Sequence, residues 1–437
     1  MQKRKLILII LALCFIASSS FFTACSVGND GDGTKLYYRK IVGEYAYCVM
    51  GIGNVQGGEI EIPEIHDGFP VTQIAPNAFF NNQTITSVTI GANVKSIGYS
   101  AFNGCTSLET VVLNDGLTEI GDGAFSTCKS LKAIEIPDSV THIGSKAFSG
   151  CASLAEVKLS SSLTQLADWA FSGCSVLSTI ELPESITSIG AYAFYKCKLL
   201  SELPDITNVI SIGESAFSEC RALKSVVIPG NVGEVAPSLF SKCSSLNEVT
   251  VESGVTKVGE YAFRDCINLT KISLPEGITS IEKEAFYECN RLASINLPST
   301  LTHVGERAFF DCRKVSSFAI PEGVTSISYF AFGYCEGLTK LVLPSTLTHI
   351  SSHAFFNCSK LTSVTIPNGV VYVGDYAFTS CTSLKTIYIP ASVEYLGDLV
   401  FYKNKKLTVY AQAKTQPDGW HEAWNYSKCN VIWDYNA

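Results

Sequence analysis

Between Phe79 and Phe401 the apolar residues recur with a period of 23. Fifteen phenylalanines, from Phe79, Phe102 and Phe125 to Phe401, keep that spacing over 322 residues without insertion or deletion. Independent globular domains lose such a register because their loops vary in length, so a fixed period marks one coil stacked on the last. With each Phe counted as position 0, Ala precedes it in 13 of 15 coils, Leu239 and Val400 being the exceptions. Cys stands at +3 in 13 of 15, from Cys105 to Cys381, and Asn82 and Asn404 take that place at the two ends. Leu nearly always follows at +6 (Leu108, Leu131, Leu154), then apolar and mostly β-branched residues at +9 and +11, such as Ile134 and Ile136. Pro occupies +12 in 9 of 14 coils, and Gly follows the apolar residue at +18 in 9 of 14.

The +9 and +11 pair alternates with period two, which predicts a strand with one buried face. Pro at +12 ends that strand, since it cannot donate to a ladder. Apolar residues at +15 and +18 turn a second wall inward, and the Gly after them predicts a positive φ or a tight bend. The spacing Ala-Phe-x-x-Cys predicts a single helical turn with Phe and Cys inward. One such unit buries too little to stand alone, so the coils must stack through backbone hydrogen bonds. The predicted fold is an α/β repeat solenoid: a right-handed coil with a parallel β-sheet on one face and short helical turns opposite. Leu203-Pro204-Asp205 moves Pro forward and sets Asp at +11, which predicts a disturbed strand there.

The unit Leu-x-x-Ile-x-Ile-Pro-x-x-Val-x-x-Ile-Gly-x-x-Ala-Phe-x-x-Cys, which runs here from Leu131 to Cys151, resembles the BspA-like (Treponema pallidum type) leucine-rich repeat. The resemblance covers about residues 60–412. It implies a bacterial surface protein of a kind implicated in adhesion to host matrix proteins and to other cells, and it does not carry a ligand with it. Residues 35–78 lack the strict frame and read as an N-terminal cap before a solenoid over 79–412. Gln412 replaces the apolar +11 residue of the last coil, and 413–437, with Trp420, Trp424 and Trp433, reads as a C-terminal cap.

The N-terminus reads as an address. Lys3, Arg4 and Lys5 precede an uncharged apolar run over 6–16. A bilayer span needs ~20 residues, so 1–24 reads as a secretory signal peptide. Phe22-Thr23-Ala24-Cys25 resembles a bacterial lipobox, although Phe22 stands where that motif usually has Leu. That resemblance implies lipidation of Cys25, with 25–34 as a flexible polar tether. The expected location is the bacterial cell surface, outer membrane or outer face of the plasma membrane, with membrane contact through the anchor only.

Composition narrows the chemistry. A net charge of −8 and the lack of any polybasic run argue against nucleic acid. Seventeen Cys raise the question of disulfides or zinc. Stacking would set the +3 thiols about 4.8 Å apart with parallel side-chain vectors, which suits packing better than S–S geometry. A reduced structural column is the expected reading, with disulfides and metal as alternatives. Cys48 and Cys429 lie in opposite caps, too far apart to pair. His349 and His353 are four apart, but one falls in a predicted extended segment and the other in a turn, and with His303 they read as surface histidines. No Ser-His-Asp order, no G-x-S-x-G elbow and no paired carboxylates are recoverable. The expectation is therefore a non-enzyme with no metal and no cofactor.

Two surfaces are candidates for binding. Positions +8 and +10 should face solvent on the sheet: Glu135, Glu156, Lys158, Thr179, Glu181, Glu248, Thr250, Lys271, Ser273 and Tyr388. Solenoid faces of this kind commonly bind partners, and a merely solubilising surface is the alternative. A second row, Trp169, Tyr192, Tyr195, Tyr261, Tyr287, Phe310, Phe330, Phe356 and Tyr376, flanks the repeating Phe. It suits either partner contact or packing between coils. The expected function is an adhesin-like lipoprotein binding an extracellular protein or glycan, with glycan capture or an envelope scaffold as the alternative.

Overall fold

The computed structural model describes residues 36–52 and 57–436. The expected signal peptide, Cys25 and the whole of the expected tether, 25–34, lie outside those residues. Each 23-residue coil has three walls. The first is the strand around +9, for example Ala133–Glu135 and Glu156–Lys158, which pair in parallel with Ile134 opposite Val157. The second is a two-residue strand ending at +18, such as Ser188–Ile189 and Ser211–Ile212, again parallel to its neighbour. The third is the turn wall around Phe. Ahead of the strict repeat, Leu36–Lys40 folds back antiparallel on Tyr47–Ile52, and Tyr47–Ile52 then pairs in parallel with Phe69–Ile74.

The interior is a set of columns. The 15 Phe rings stack along the axis, neighbouring centroids 4.8–6.3 Å apart and planes within 1–25°. Burying one such side chain contributes about 1.5–3 kcal/mol, and each aromatic pair about 0.5–1.5 kcal/mol more. The column ends on Trp424, set edge-on to Phe401 at 6.0 Å. Beside the rings runs the Cys column. Every thiol from Cys105 to Cys381 donates to the carbonyl of the preceding coil's Phe, with S···O of 3.1–3.3 Å. At the last coil Asn404 Nδ2 makes the same bond to Phe378 at 2.8 Å. All 15 described cysteines are free and buried. Burial pushes the thiols from Cys105 to Cys358 up, Cys105 and Cys243 to about 12, so they stay neutral and act as packing donors.

The turn wall is not helical. Among the described residues the only helical element is the three-residue 3-10 segment Gly230–Val232. The Ala-Phe-x-x-Cys spacing is instead made by successive tight turns. Ala101 N–H donates to Gly98, Asn103 N–H to Ser100 and Cys105 N–H to Phe102. The intervening N–H groups of Ser100, Phe102 and Gly104 donate to Asp122, Ala124 and Ser126 in the next coil. Alternate donors thus bond within and between coils, which gives these buried N–H groups their partners. The geometry demands positive φ at −2 and +2, and non-glycine residues accept it: Lys146 at 59°, Trp169 at 61°, Tyr192 at 58°, Glu219 at 60°. That conformation costs roughly 1–2 kcal/mol per residue, offset here by the inter-coil bonds it enables.

Glycine at +19 serves a different need from the one expected. Gly98, Gly144, Gly213 and their equivalents do not have positive φ. A Cβ there would stand 2.4–2.9 Å from atoms of the preceding coil. Where glycine stands at this position, it lets two backbones approach closely.

The sheet around +9 is interrupted rather than continuous. Ladders run over the first coils, Gly58–Ile62 with Ile85–Ile90 and Thr110–Val112, then over several shorter groups. The coils at 179–181 and 202–204 have no strand, so Thr179 and Glu181 lie in extended chain outside any ladder. Pro204 cannot donate, as the sequence predicted. The last coil is shorter by one residue: Tyr388 pairs with Tyr410 and Ile389 with Ala411, a step of 22. Ala411 therefore fills the buried apolar place assigned above to Gln412, which falls one position beyond it.

Candidate binding surfaces

The +8 and +10 side chains point away from the core because the alternating +9 and +11 residues are buried against it, as with Ile134 and Ile136. Glu135, Glu156, Lys158, Thr179, Glu181, Glu248, Lys271 and Ser273 are exposed, and Thr250 and Tyr388 half-buried. Their charges are partly spent on one another. Lys158 pairs with Glu135 at 2.5 Å and Lys271 with Glu248 at 2.6 Å, each across one coil step. Lys132 and Glu109, one position earlier in their coils, pair the same way. Glu156 and Glu181 make no ion pair among the described residues. Exposed pairs of this kind add little stability, but they set the register of charge along the face. At the C-terminal end of the face the polar pattern gives way to Tyr388 and Tyr410, stacked at 5.0 Å.

The aromatic row lies on the turn wall, at −2 and +1, and packs on itself. Trp169 stacks on Tyr192 at 4.1 Å and 7°, with Tyr195 edge-on to both. Further along, Tyr287 stacks on Phe310 at 5.0 Å, and His353 lies between Phe330 and Tyr376 at 4.5 and 4.8 Å. The Arg264 guanidinium covers Tyr287 at 4.7 Å and pairs with the buried Glu284 at 2.6 Å. These rings are half-buried, so the row is inter-coil packing that leaves ring edges at the surface. His353, which sequence spacing had singled out, is desolvated in that stack; burial lowers its pKa. His349 sits on the two-residue strand His349–Ile350, exposed and stacked on Tyr372. The structure does not bring the two histidines together, and no group of three or more His, Cys, Asp or Glu among the described residues is placed to hold a metal.

Sequence reasoning missed Tyr410 and Tyr435. The signal was the one-residue shortening before Thr408, which slides Tyr410 under Tyr388. Tyr435 reaches the same place because the tail folds back, its N–H donating to Ala411 at 3.1 Å.

Parallel two-wall ladders, a fixed 23-residue step and an Ala-Phe-x-x-Cys corner define a leucine-rich-repeat solenoid, a class typically built as a binding scaffold. The chain belongs to the BspA type leucine rich repeat family, whose model matches residues 72–201, 201–316 and 302–415. It is similar to a leucine-rich repeat protein from Bacteroides ovatus, at 25% identity over 86% of this chain and 98% of that one, with a TM-score of 0.67. A leucine rich cell surface protein from Faecalibacterium prausnitzii is 25% identical over 84% of this chain and 95% of that one, TM-score 0.51. The pneumococcal vaccine antigen PcpA, at 22% identity over 82% of this chain and 92% of that one, TM-score 0.50, shares the fold. No curated protein matches the chain.

Proposed function

We propose that this chain is an exported, adhesin-like lipoprotein, held at the bacterial surface through Cys25, that binds an extracellular protein through the +8/+10 face. The observation that carries the reading is the run of exposed side chains from Glu109 to Lys271, several of them ion-paired across one coil step, on a scaffold whose Phe and Cys columns are turned inward. The relative described as a cell surface protein supports the location. The basic n-region, apolar run and lipobox-like Cys25 support export and anchoring.

The test is binding of the full chain to immobilised fibronectin, laminin, collagen and mucin. Glu156→Lys with Glu181→Lys reverses two unpaired charges of the face without touching the core. Saturable binding should weaken by at least about tenfold, since like-charge contact costs several kcal/mol. A turn-wall control, Lys146→Glu, should bind as wild type. Undiminished binding by the double variant would remove this face as the site. Glycan capture is the second reading, and the tyrosine cluster at the end of the face favours it.

A further inference from the structure

Where the +8/+10 face ends, the chain builds a concavity of about 420 Å³. That size lies within the roughly 300–1,000 Å³ of small-molecule pockets. Three tyrosines form it. Tyr388 and Tyr410 are stacked at 5.0 Å and 21°, and Tyr435 stands at 63° to Tyr410 with centroids 4.9 Å apart. Thr365, Asn368 and Gln412 line it as well, and no charged residue does. Gln412 Oε1 accepts from Ala391 N–H at 3.1 Å, which fixes the amide and leaves its NH₂ to donate. Each tyrosine arrives by a departure from the repeat: Tyr388 stands where the preceding coil has Thr365, Tyr410 comes by the 22-residue step, and Tyr435 comes by the returning tail.

We infer that this concavity is a binding subsite for a neutral pyranose saccharide. Aromatic rings of half-buried tyrosines offer flat apolar faces to the C–H side of a sugar ring, and their hydroxyls stay free to bond. Carboxamides and a threonine hydroxyl both donate and accept, as sugar hydroxyls do. The uncharged lining selects against sialylated or uronic residues, whose carboxylates would lose hydration with no cation to meet them. The inference deepens the glycan reading and rests on it; it shares its face with the protein-adhesion reading without resting on that. The site lies beyond the ion-paired stretch and uses none of Glu156, Glu181 or their neighbours.

The experiment is calorimetric titration and saturation-transfer NMR of the full chain with cellohexaose, mannohexaose and triacetylchitotriose, with 3′-sialyllactose as the charged comparator. Saturable binding of at least one neutral oligosaccharide is expected, with sialyllactose silent. Tyr410→Ala should weaken that binding by about tenfold, the scale of one aromatic contact. Asn368→Ala, an exposed position whose loss leaves the melting curve unchanged, should weaken it too. Glu156→Lys with Glu181→Lys should leave it intact, so a failed adhesion test and a failed saccharide test remain distinct. The inference is overturned if no neutral oligosaccharide saturates, if sialyllactose binds equally, or if binding survives both Tyr410→Ala and Asn368→Ala. Capture of peptides at this site in place of sugars would equally overturn it.

Discussion

At positions 0 and +3 the same two residues recur coil after coil, while at +8 and +10 Glu, Lys, Thr, Ser, Ala and Tyr take turns. The two stretches are a few residues apart in every coil and share one backbone path. They differ in what each side chain touches. A Phe ring in the turn wall touches the same ring above and below, and a Cys thiol touches the Phe carbonyl of the preceding coil. Changing one link misfits two neighbours. A charged +10 side chain such as Lys158 pairs with one partner across the face, Glu135, and water can replace it. Self-contact fixes identity, and solvent contact frees it for recognition.

That contrast can be broken at its strongest point with base. The thiols from Cys105 to Cys358 have folded pKa values raised above the ordinary 9.0, to about 12 for Cys105 and Cys243, chiefly by desolvation. Their contribution is fully present below pH 9 and is lost as pH rises through 12. Each raised thiol costs about 1.4 kcal/mol per pH unit in that window, and domains hold only about 5–15 kcal/mol. Circular dichroism should show a flat plateau from pH 6 to 8 and cooperative loss of structure before pH 12. Cys266→Ser with Cys289→Ser should be less stable at pH 7 but lose stability less steeply above pH 9. Equal slopes would mean that the thiols do not drive the alkaline transition.

A single link comes next. Phe263→Ala, in mid-column, should cost about 3–5 kcal/mol in urea unfolding. A loss below about 1 kcal/mol would show that the neighbouring rings Phe240 and Phe286 close the gap and that the column is not the brace described. At the small end, Glu248→Ala on the outer face should leave the urea midpoint unchanged. Its partner Lys271 is 70% exposed and returns to water. A clear drop would erase the distinction between the walls.

The period, the Phe and Cys columns, the outward set of +8 and +10 residues and the interruption at Pro204 were legible in the sequence, because each is a matter of spacing and polarity. The turn wall was not. One helical turn and paired tight turns both bring residues three apart together, so Ala-Phe-x-x-Cys fits either. What decides is left-handed backbone at −2 and +2, and Lys146, Trp169 and Glu219 occupy it without a glycine to announce it. Glycine at +19 was visible but its reason was not, since the clash it avoids is with a residue one coil away. In the candidate site, Tyr388 was found by counting. Tyr410 was lost by counting, because a strict frame cannot register the missing residue that Ala411 reveals.

The bond from each thiol to the preceding Phe, matched by Phe N–H donation to the following coil, gives every coil the same socket and the same plug. A stretch of coding sequence one coil long can therefore be duplicated or excised by unequal exchange, and the joint closes with the bonds it had before. A stretch one residue longer or shorter inside the turn wall would carry each Phe and Cys out of line with its partners, whereas the 22-residue step falls outside that wall, just before Thr408. Within the turn wall the array changes length in whole steps, which lets inheritance lengthen the reach of the molecule while leaving its cross-section unaltered.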